Sequence, residues 1–309
     1  MNRGRPARSR PTLILYQSER AYGAPVGGRV LDCRAMATVV RAASGRDDYD
    51  ACVRLQRDVW GLSDLEITSA IQLVATVHAG GLLLVAESAG TVVGFCYAFA
   101  ALRGGEAHLH SDMLAVHPAA RGLGVGLRLK WAQREEALRR GLRLVTWTFD
   151  PTRAGNARLN LHHLGATSRE FLPDFYGTTS SALHHGLATD RLFVRWELDS
   201  PRVARRAAGE PGATPDFDAL PAINDATWRG GVPATSPPRL ELDAPELLLE
   251  IPGDWDAVVR ADAGLAREWQ DAVRRAFEAL FARGYAALGF VSTGGERPRC
   301  GYLLSLRAR

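Results

Sequence analysis

A chain of 309 residues exceeds one ordinary domain and suggests two, each able to bury its own core. With 46% apolar and 23% charged residues it has the composition of a globular protein, and no run approaches the roughly 18 apolar residues of a membrane span. The net charge of +4 is concentrated at the start: residues 1–35 hold seven arginines against Glu19 and Asp32, so the remainder is near neutral and a basic nucleic-acid-binding body is excluded.

The basic leader, residues 1–36, reads as a disordered arm, as a targeting peptide, or as an over-extended start with Met36 as the initiator. Pro6, Pro11 and the lack of an apolar face argue against an amphipathic targeting helix. Thr38 to Ala43 is β-branched and predicts a first strand. Asp47 or Asp48 can cap a helix through Val59, with Ala51, Leu55 and Val59 on one face. A shorter helical pattern covers Leu65 to Val77. Strands are predicted at Leu82 to Ala86, Thr91 to Ala100 and Ala107 to Val116, the last stopped by His117-Pro118. Leu127, Trp131 and Leu138 mark one face of a helix ending at Gly141, and Leu142 to Phe149 reads as a central strand buried on both faces. The order β-α-α-β-β-β-α-β predicts a mixed sheet with helices on both faces, an α/β fold of the α+β mixed-sheet kind.

Composition changes after Asp199. Seven of the 16 prolines fall between Pro201 and Pro238, so residues 200–240 read as a Pro-rich linker or an irregular crossover rather than a core. Structure resumes over 241–309: a strand at Glu246 to Ile251, a helix from about Ala263 to Arg283, and strands at Ala286 to Val291 and Tyr302 to Leu306. That is a second, smaller α/β unit. The four cysteines, Cys33, Cys52, Cys96 and Cys300, form no Cys-x-x-Cys pair and read as reduced, mostly buried thiols of a cytoplasmic protein.

The informative motif is Arg121-Gly122-Leu123-Gly124-Val125-Gly126, between a strand and a helix. Such a loop turns successive backbone N–H groups toward one point at the positive end of a helix dipole, each worth roughly 1.5–3 kcal/mol to a pyrophosphate. A Rossmann fingerprint needs Gly-x-Gly-x-x-Gly, and a P-loop ends in Gly-Lys-Ser/Thr where Leu127-Arg128 stands here. Neither fits.

Val116-x-Pro118-x-x-Arg121-Gly122-x-Gly124-x-Gly126 resembles the acyl-CoA motif of the GNAT superfamily of N-acyltransferases, and the resemblance spans residues 37–199. More narrowly, Thr148-Phe149-Asp150-Pro151, Asn156-Ala157, Asn160, Leu164-Gly165, Phe175-Tyr176-Gly177 and Thr189-Asp190-Arg191 resemble a little-characterised subfamily with a C-terminal extension. The resemblance implies that the glycine loop binds the CoA pyrophosphate and that backbone groups of Leu114 and Val116 pair with the pantetheine arm. It also implies a contact from Asn156 to that arm. The chain departs from the pattern twice: Asp112 stands where the subfamily usually has His, and Leu161 where the superfamily often has a proton-donating Tyr. Tyr176 is the candidate replacement.

Amine acylation from a thioester needs a base for the amine and a proton for the departing thiolate. His110 and Asp112 are the candidate bases, expected on one strand face, while Ser111 points away and so forms no hydrolase triad with them. Asp190 and Arg191 are candidates to meet an acceptor's amine and carboxylate. All eight histidines fall between His78 and His185 without His-Glu-x-x-His, so no metal is expected. The expectation is a cytoplasmic enzyme moving acetyl, or another short acyl such as succinyl, from CoA to the amine of a small molecule, an amino acid among the candidates. No nucleic-acid or membrane partner is expected. The C-terminal unit would pack against the catalytic domain and wall the acceptor site or support a homodimer. Rival readings are a non-catalytic acyl-CoA-binding module and a dinucleotide-dependent oxidoreductase.

Overall fold

A computed structural model describes residues 38–177, 186–212, 215–295 and 297–306. The leader at 1–36, Cys33 and the pair His184-His185 lie outside the described residues.

The first strand, β1 (Val39–Ala42), leads into helix α1 (Gly45–Trp60). The helix begins earlier than expected. Ser44 is its N-cap, and the Asp48 carboxylate reaches back to accept the Ser44 N–H at 2.7 Å. Arg41 donates to both Asp48 and Glu87 and ties the two ends together. Ala51, Cys52 and Leu55 face inward, and Gly61, with φ of 63°, closes the helix by donating to Arg57 O. The second helix, α2 (Ala70–His78), is shorter than the pattern over Leu65 to Val77. Ser69 accepts the Gln72 N–H at 3.2 Å and sets the start, and the residues before it form a turn.

Strands β2 (Leu82–Ser88), β3 (Thr91–Arg103) and β4 (Glu106–Val116) follow as an antiparallel meander, then α3 (Val125–Arg139) and β5 (Leu144–Phe149). Helix α4 (Ala154–Ala157) runs into a π-helical turn, Arg158–His163, before β6 (Thr167–Leu172) and β7 (Arg191–Glu197). The strand order is β1-β2-β3-β4-β5-β7-β6, with β4 and β5 parallel and every other neighbouring pair antiparallel. Helices α1 and α2 cover one face over Leu83, Val85, Phe95 and Tyr97. Helix α3 covers the other with Leu129 and Trp131. This is the mixed α/β architecture the sequence predicts.

The segment after β7 departs from expectation. Residues 200–240 are not an unstructured linker. Ser200 caps α5 (Pro201–Ala207), whose proline stands in the first turn, where a missing N–H costs nothing. Strands β8 (Ala226–Arg229) and β9 (Val232–Thr235) form a hairpin about Gly230-Gly231, both at positive φ as a tight two-residue turn requires. Phe217, Ile223 and Ala234 are buried, and Asn224 bonds both the N–H and the carbonyl of Glu250. Prolines at helix starts and strand edges are compatible with order, which composition alone does not reveal.

Strand β10 (Glu246–Ile251), helices α6 (Trp255–Ala261) and α7 (Ala263–Ala282), and strands β11 (Ala286–Ser292) and β12 (Cys300–Ser305) close the chain. They do not form a separate sheet. β11 bridges to β6 at Ala287 and Ser168, so the order continues β6-β11-β12-β10 in one ten-stranded sheet. Helix α7 buries Leu265, Trp269, Val273, Ala276, Phe277 and Leu280, and Phe277 stacks on Phe171 of β6 at 5.9 Å. No helix among the described residues is long and apolar enough to cross a membrane.

Candidate active site

Two local irregularities build the site. In β4 the register with β3 passes from Tyr97–Met113 to Ala98–Ser111, leaving Asp112 as one extra residue, a β-bulge. On the other edge, β4 and β5 pair only at Leu109–Val145 and His110–Thr146 and then diverge. The fork opens into a cavity of about 540 Å³, a size suited to a small ligand. Ser111, Asp112, Leu114, Lys130, Trp147, Asn156, Tyr176 and Arg191 are among its lining residues.

The bulge overturns the expectation that His110 and Asp112 share a face, because alternation fails where a residue is inserted. His110 lies beside the fork, outside the cavity lining, between the rings of Phe99 and Phe193, with Nδ1 2.9 Å from Thr146 Oγ1. Burial, reinforced by His108 and Lys130, pushes its pKa down to about 4, so it is neutral at pH 7 rather than titrating there. Asp112 opens into the cavity, yet the surrounding protein mass withholds enough solvent to raise its carboxyl above the usual range. Ser111 turns to the α3 face and meets Lys130, Gln133 and Cys96, consistent with the rejection of a hydrolase triad.

At the far end of β4, Pro118–Ala120 form a short 3-10 turn and the glycine loop follows. Gly122 and Gly124 take φ of 78° and 72°, and a Cβ at either would meet nothing within 4 Å, so the loop borders open space. The backbone N–H groups of Gly122, Leu123, Gly124, Val125 and Gly126 lie in this loop and the first turn of α3, where a helix has no acceptor of its own to offer them. These amides, at the start of the 15-residue helix α3, fit a pyrophosphate. Arg121 is exposed, and its Nε donates to Val116 O at 3.4 Å, which occupies one backbone group expected to meet the pantetheine arm. Leu114 and Val116 otherwise lie on the splayed, unpaired edge of β4.

Tyr176 is half exposed, its hydroxyl 3.2 Å from Thr148 Oγ1 and the Arg191 guanidinium 5.1 Å from its ring centre. Asn156 sits within α4, whose N-cap is Arg153, and Leu161 is fully buried in the core. Asp190 is not available to an acceptor. It is 3% exposed, accepts from both Nε and Nη2 of Arg274 in α7, and takes the Asp174 N–H. The expected pair therefore splits: Arg191 lines the cavity, and Asp190 anchors it from behind.

Sequence reasoning missed Lys130, 2% exposed, with Nζ 3.7 Å from the Trp147 ring centre. Its signal was present, as the chain's only lysine. The C-terminal segment packs against the catalytic part of the chain, as expected. Among the described residues, no cavity-lining residue lies beyond Arg191. Tyr302 donates to Pro151 O at 2.7 Å, Arg153 donates to Asp256, and Gln270 donates to Ala188 O. The segment holds the flanking loops in place. Among the described residues, no three His, Cys, Asp or Glu side chains gather as a metal-binding group.

Residues 49–165 match the model of the Acetyltransferase (GNAT) family. No curated protein sequence matches the chain. Among solved structures, the chain is similar to the ribosomal-protein-S18-alanine N-acetyltransferase from Escherichia coli, at 16% identity and a TM-score of 0.42, covering 53% of this chain and 95% of that one. It is similar to yncA from Salmonella typhimurium, solved with its cofactor acetyl-CoA, at 22% identity and a TM-score of 0.42, covering 59% and 99%. It is also similar to the ribosomal-protein-alanine N-acetyltransferase from Brucella melitensis, at 22% identity and 0.41, covering 51% and 98%. The family match runs from α1 through the forked strands and the glycine loop to just past the π-helical turn, so it is over residues 49–165 that the chain matches the GNAT acetyltransferases, a family whose enzymes use acetyl-CoA as co-substrate.

Proposed function

We propose that the protein is a cytoplasmic enzyme that transfers a short acyl group from CoA to the primary amine of a small molecule, with amino acids as the fitting acceptor class. The observation that carries this reading is the fork itself: an open strand edge leads from a glycine loop at a helix N-terminus to a carboxylate that lines the cavity. Acyl-CoA supplies the activated carbonyl as a thioester. Gly122, Leu123, Gly124, Val125 and Gly126 hold the diphosphate, and Leu114, Val116 and Asn156 guide the arm. Asp112 takes a proton from the amine as the C–N bond forms, directly or through a water. The Tyr176 hydroxyl, in the cavity wall, returns a proton to the thiolate as the C–S bond breaks. His110, neutral and wedged between aromatic rings, holds Thr146 and the last paired residues of the fork. Arg191 supports an acceptor carboxylate, since a guanidinium matches that group bidentately. The free, buried thiols of Cys52, Cys96 and Cys300 suit a reducing compartment.

The test is thiol release against a panel of amino acids and other small amines, paired with calorimetric CoA binding. Gly124→Glu should abolish CoA binding through bulk and like charge while the far-ultraviolet circular dichroism stays unchanged. The left-handed backbone there costs roughly 1–2 kcal/mol with a side chain, which the fold can absorb. Unchanged CoA affinity in that variant would remove the loop from the site. A flat progress curve with every amine would remove the acceptor class.

A further inference from the structure

The acyl-CoA reading leaves one group unexplained: a lone ammonium at the closed end of the fork. Ser111 and Trp147 are the first residues beyond the last β4–β5 pair, and Lys130 reaches between them from α3. Its Nζ donates to Ser111 Oγ at 3.2 Å and to Gln133 Oε1 at 2.6 Å, and the rings of Trp147 and Trp196 lie 3.7 and 5.3 Å away. Every one of these partners is neutral. Among the described residues no carboxylate forms an ion pair with it, Asp112 included: two N–H groups donate to neutral oxygens and the ammonium rests on the face of Trp147. Burial pushes its pKa down to about 8, so it still carries its charge at pH 7. A buried cation without a counter-charge is costly, and an apolar side chain would fill this place more cheaply. A site that keeps such a cation facing a cavity is built to receive an anion.

Direction along β4 says which anion. A diphosphate on the glycine loop lies beyond Val116, so the arm runs back toward Asp112, four residues or about 13 Å of strand. The thioester then sits near Asp112, and whatever the acyl group carries beyond its carbonyl points at Ser111, Trp147 and Lys130. We propose that the acyl donor bears a free carboxylate at the far end of a short acyl chain, and that the Lys130 ammonium receives it at the apex of the fork. The donor class is the half-thioester of a short dicarboxylic acid. A plain acetyl methyl would leave the ammonium uncompensated.

This inference rests on the acyl-CoA reading, and binding by the full-length protein without any acceptor tests the two separately. Isothermal titration with CoA, butyryl-CoA and succinyl-CoA compares chains of equal carbon number with and without the carboxylate. The wild-type protein should bind succinyl-CoA about tenfold or more tighter than butyryl-CoA, as a charge-assisted contact predicts. Lys130→Met, which removes an uncompensated buried charge, should erase or invert that ratio and leave CoA affinity within about twofold. If the wild-type protein binds CoA but holds butyryl-CoA as tightly as succinyl-CoA, the inference falls, and this comparison needs no variant. A preference that persists in a folded Lys130→Met protein overturns it as well. If none of the three ligands binds, the acyl-CoA reading itself falls. Malonyl- and glutaryl-CoA then order the chain lengths that reach Lys130.

Discussion

A single inserted residue gives Asp112 its place. Without the bulge, strict alternation would put its side chain on the face of His110, against Phe99 and Phe193; with it, the carboxylate enters the cavity. Burial raises its pKa, so the folded protein holds a proton where the unfolded chain has already released it. The sign follows: stability falls as pH rises through the interval between the ordinary carboxyl value and the raised one. Asp112→Asn should therefore melt higher than wild type at pH 7, and the difference should vanish below the ordinary carboxyl range. The same substitution should lower kcat/KM by about 10² or more and remove the acidic limb of its pH profile. A persistent acidic limb would assign that limb to another group. His110, pushed down to about 4, is already neutral there.

At the scale of elements, the C-terminal helix α7 works through the strand it braces. Arg274 closes on Asp190, the residue before Arg191 at the start of β7, and Gln270 fixes Ala188 two residues earlier. Arg274→Ala leaves a buried carboxylate that still accepts the Asp174 N–H. A fully buried pair broken on one side costs about 3–5 kcal/mol; with Arg274 partly exposed, about 2 kcal/mol is expected. A thermal melt should show a drop of several degrees. Because Arg191 and Tyr176 move with this corner, the acceptor KM should rise while CoA affinity holds. Equal effects on both ligands would mean general loosening rather than displacement of the acceptor end.

For the whole molecule, the shared sheet decides whether the expected domains are separable. The unit over 37–199 and the unit over 241–309 meet through the β6–β11 bridge, the Phe171–Phe277 stack and the Tyr302–Pro151 bond. Each fully buried large apolar side chain contributes roughly 1.5–3 kcal/mol, and Phe277, Trp269 and Tyr302 sit in one cluster with Leu161 and Trp196. A fragment ending at Asp199 should aggregate or bind hydrophobic dyes and melt without cooperativity. A soluble fragment with a sharp melt and intact CoA binding would establish 37–199 as an independent domain.

The sequence by itself determined the elements from β1 to β5 and the main ones after 240, because hydrophobic period and capping are carried by neighbours in the chain. Strand β10 was predicted to the residue, and the glycine loop was legible because its backbone requirements sit within six consecutive positions. The tertiary structure decided what depends on distant partners. One extra residue against β3 separated His110 from Asp112, Arg274 claimed Asp190 from 84 positions away, and the proline-rich stretch found order by packing under β10. Lys130 was visible as a lone lysine, but only the packing of α3 against the open fork turned it into a buried charge awaiting a partner.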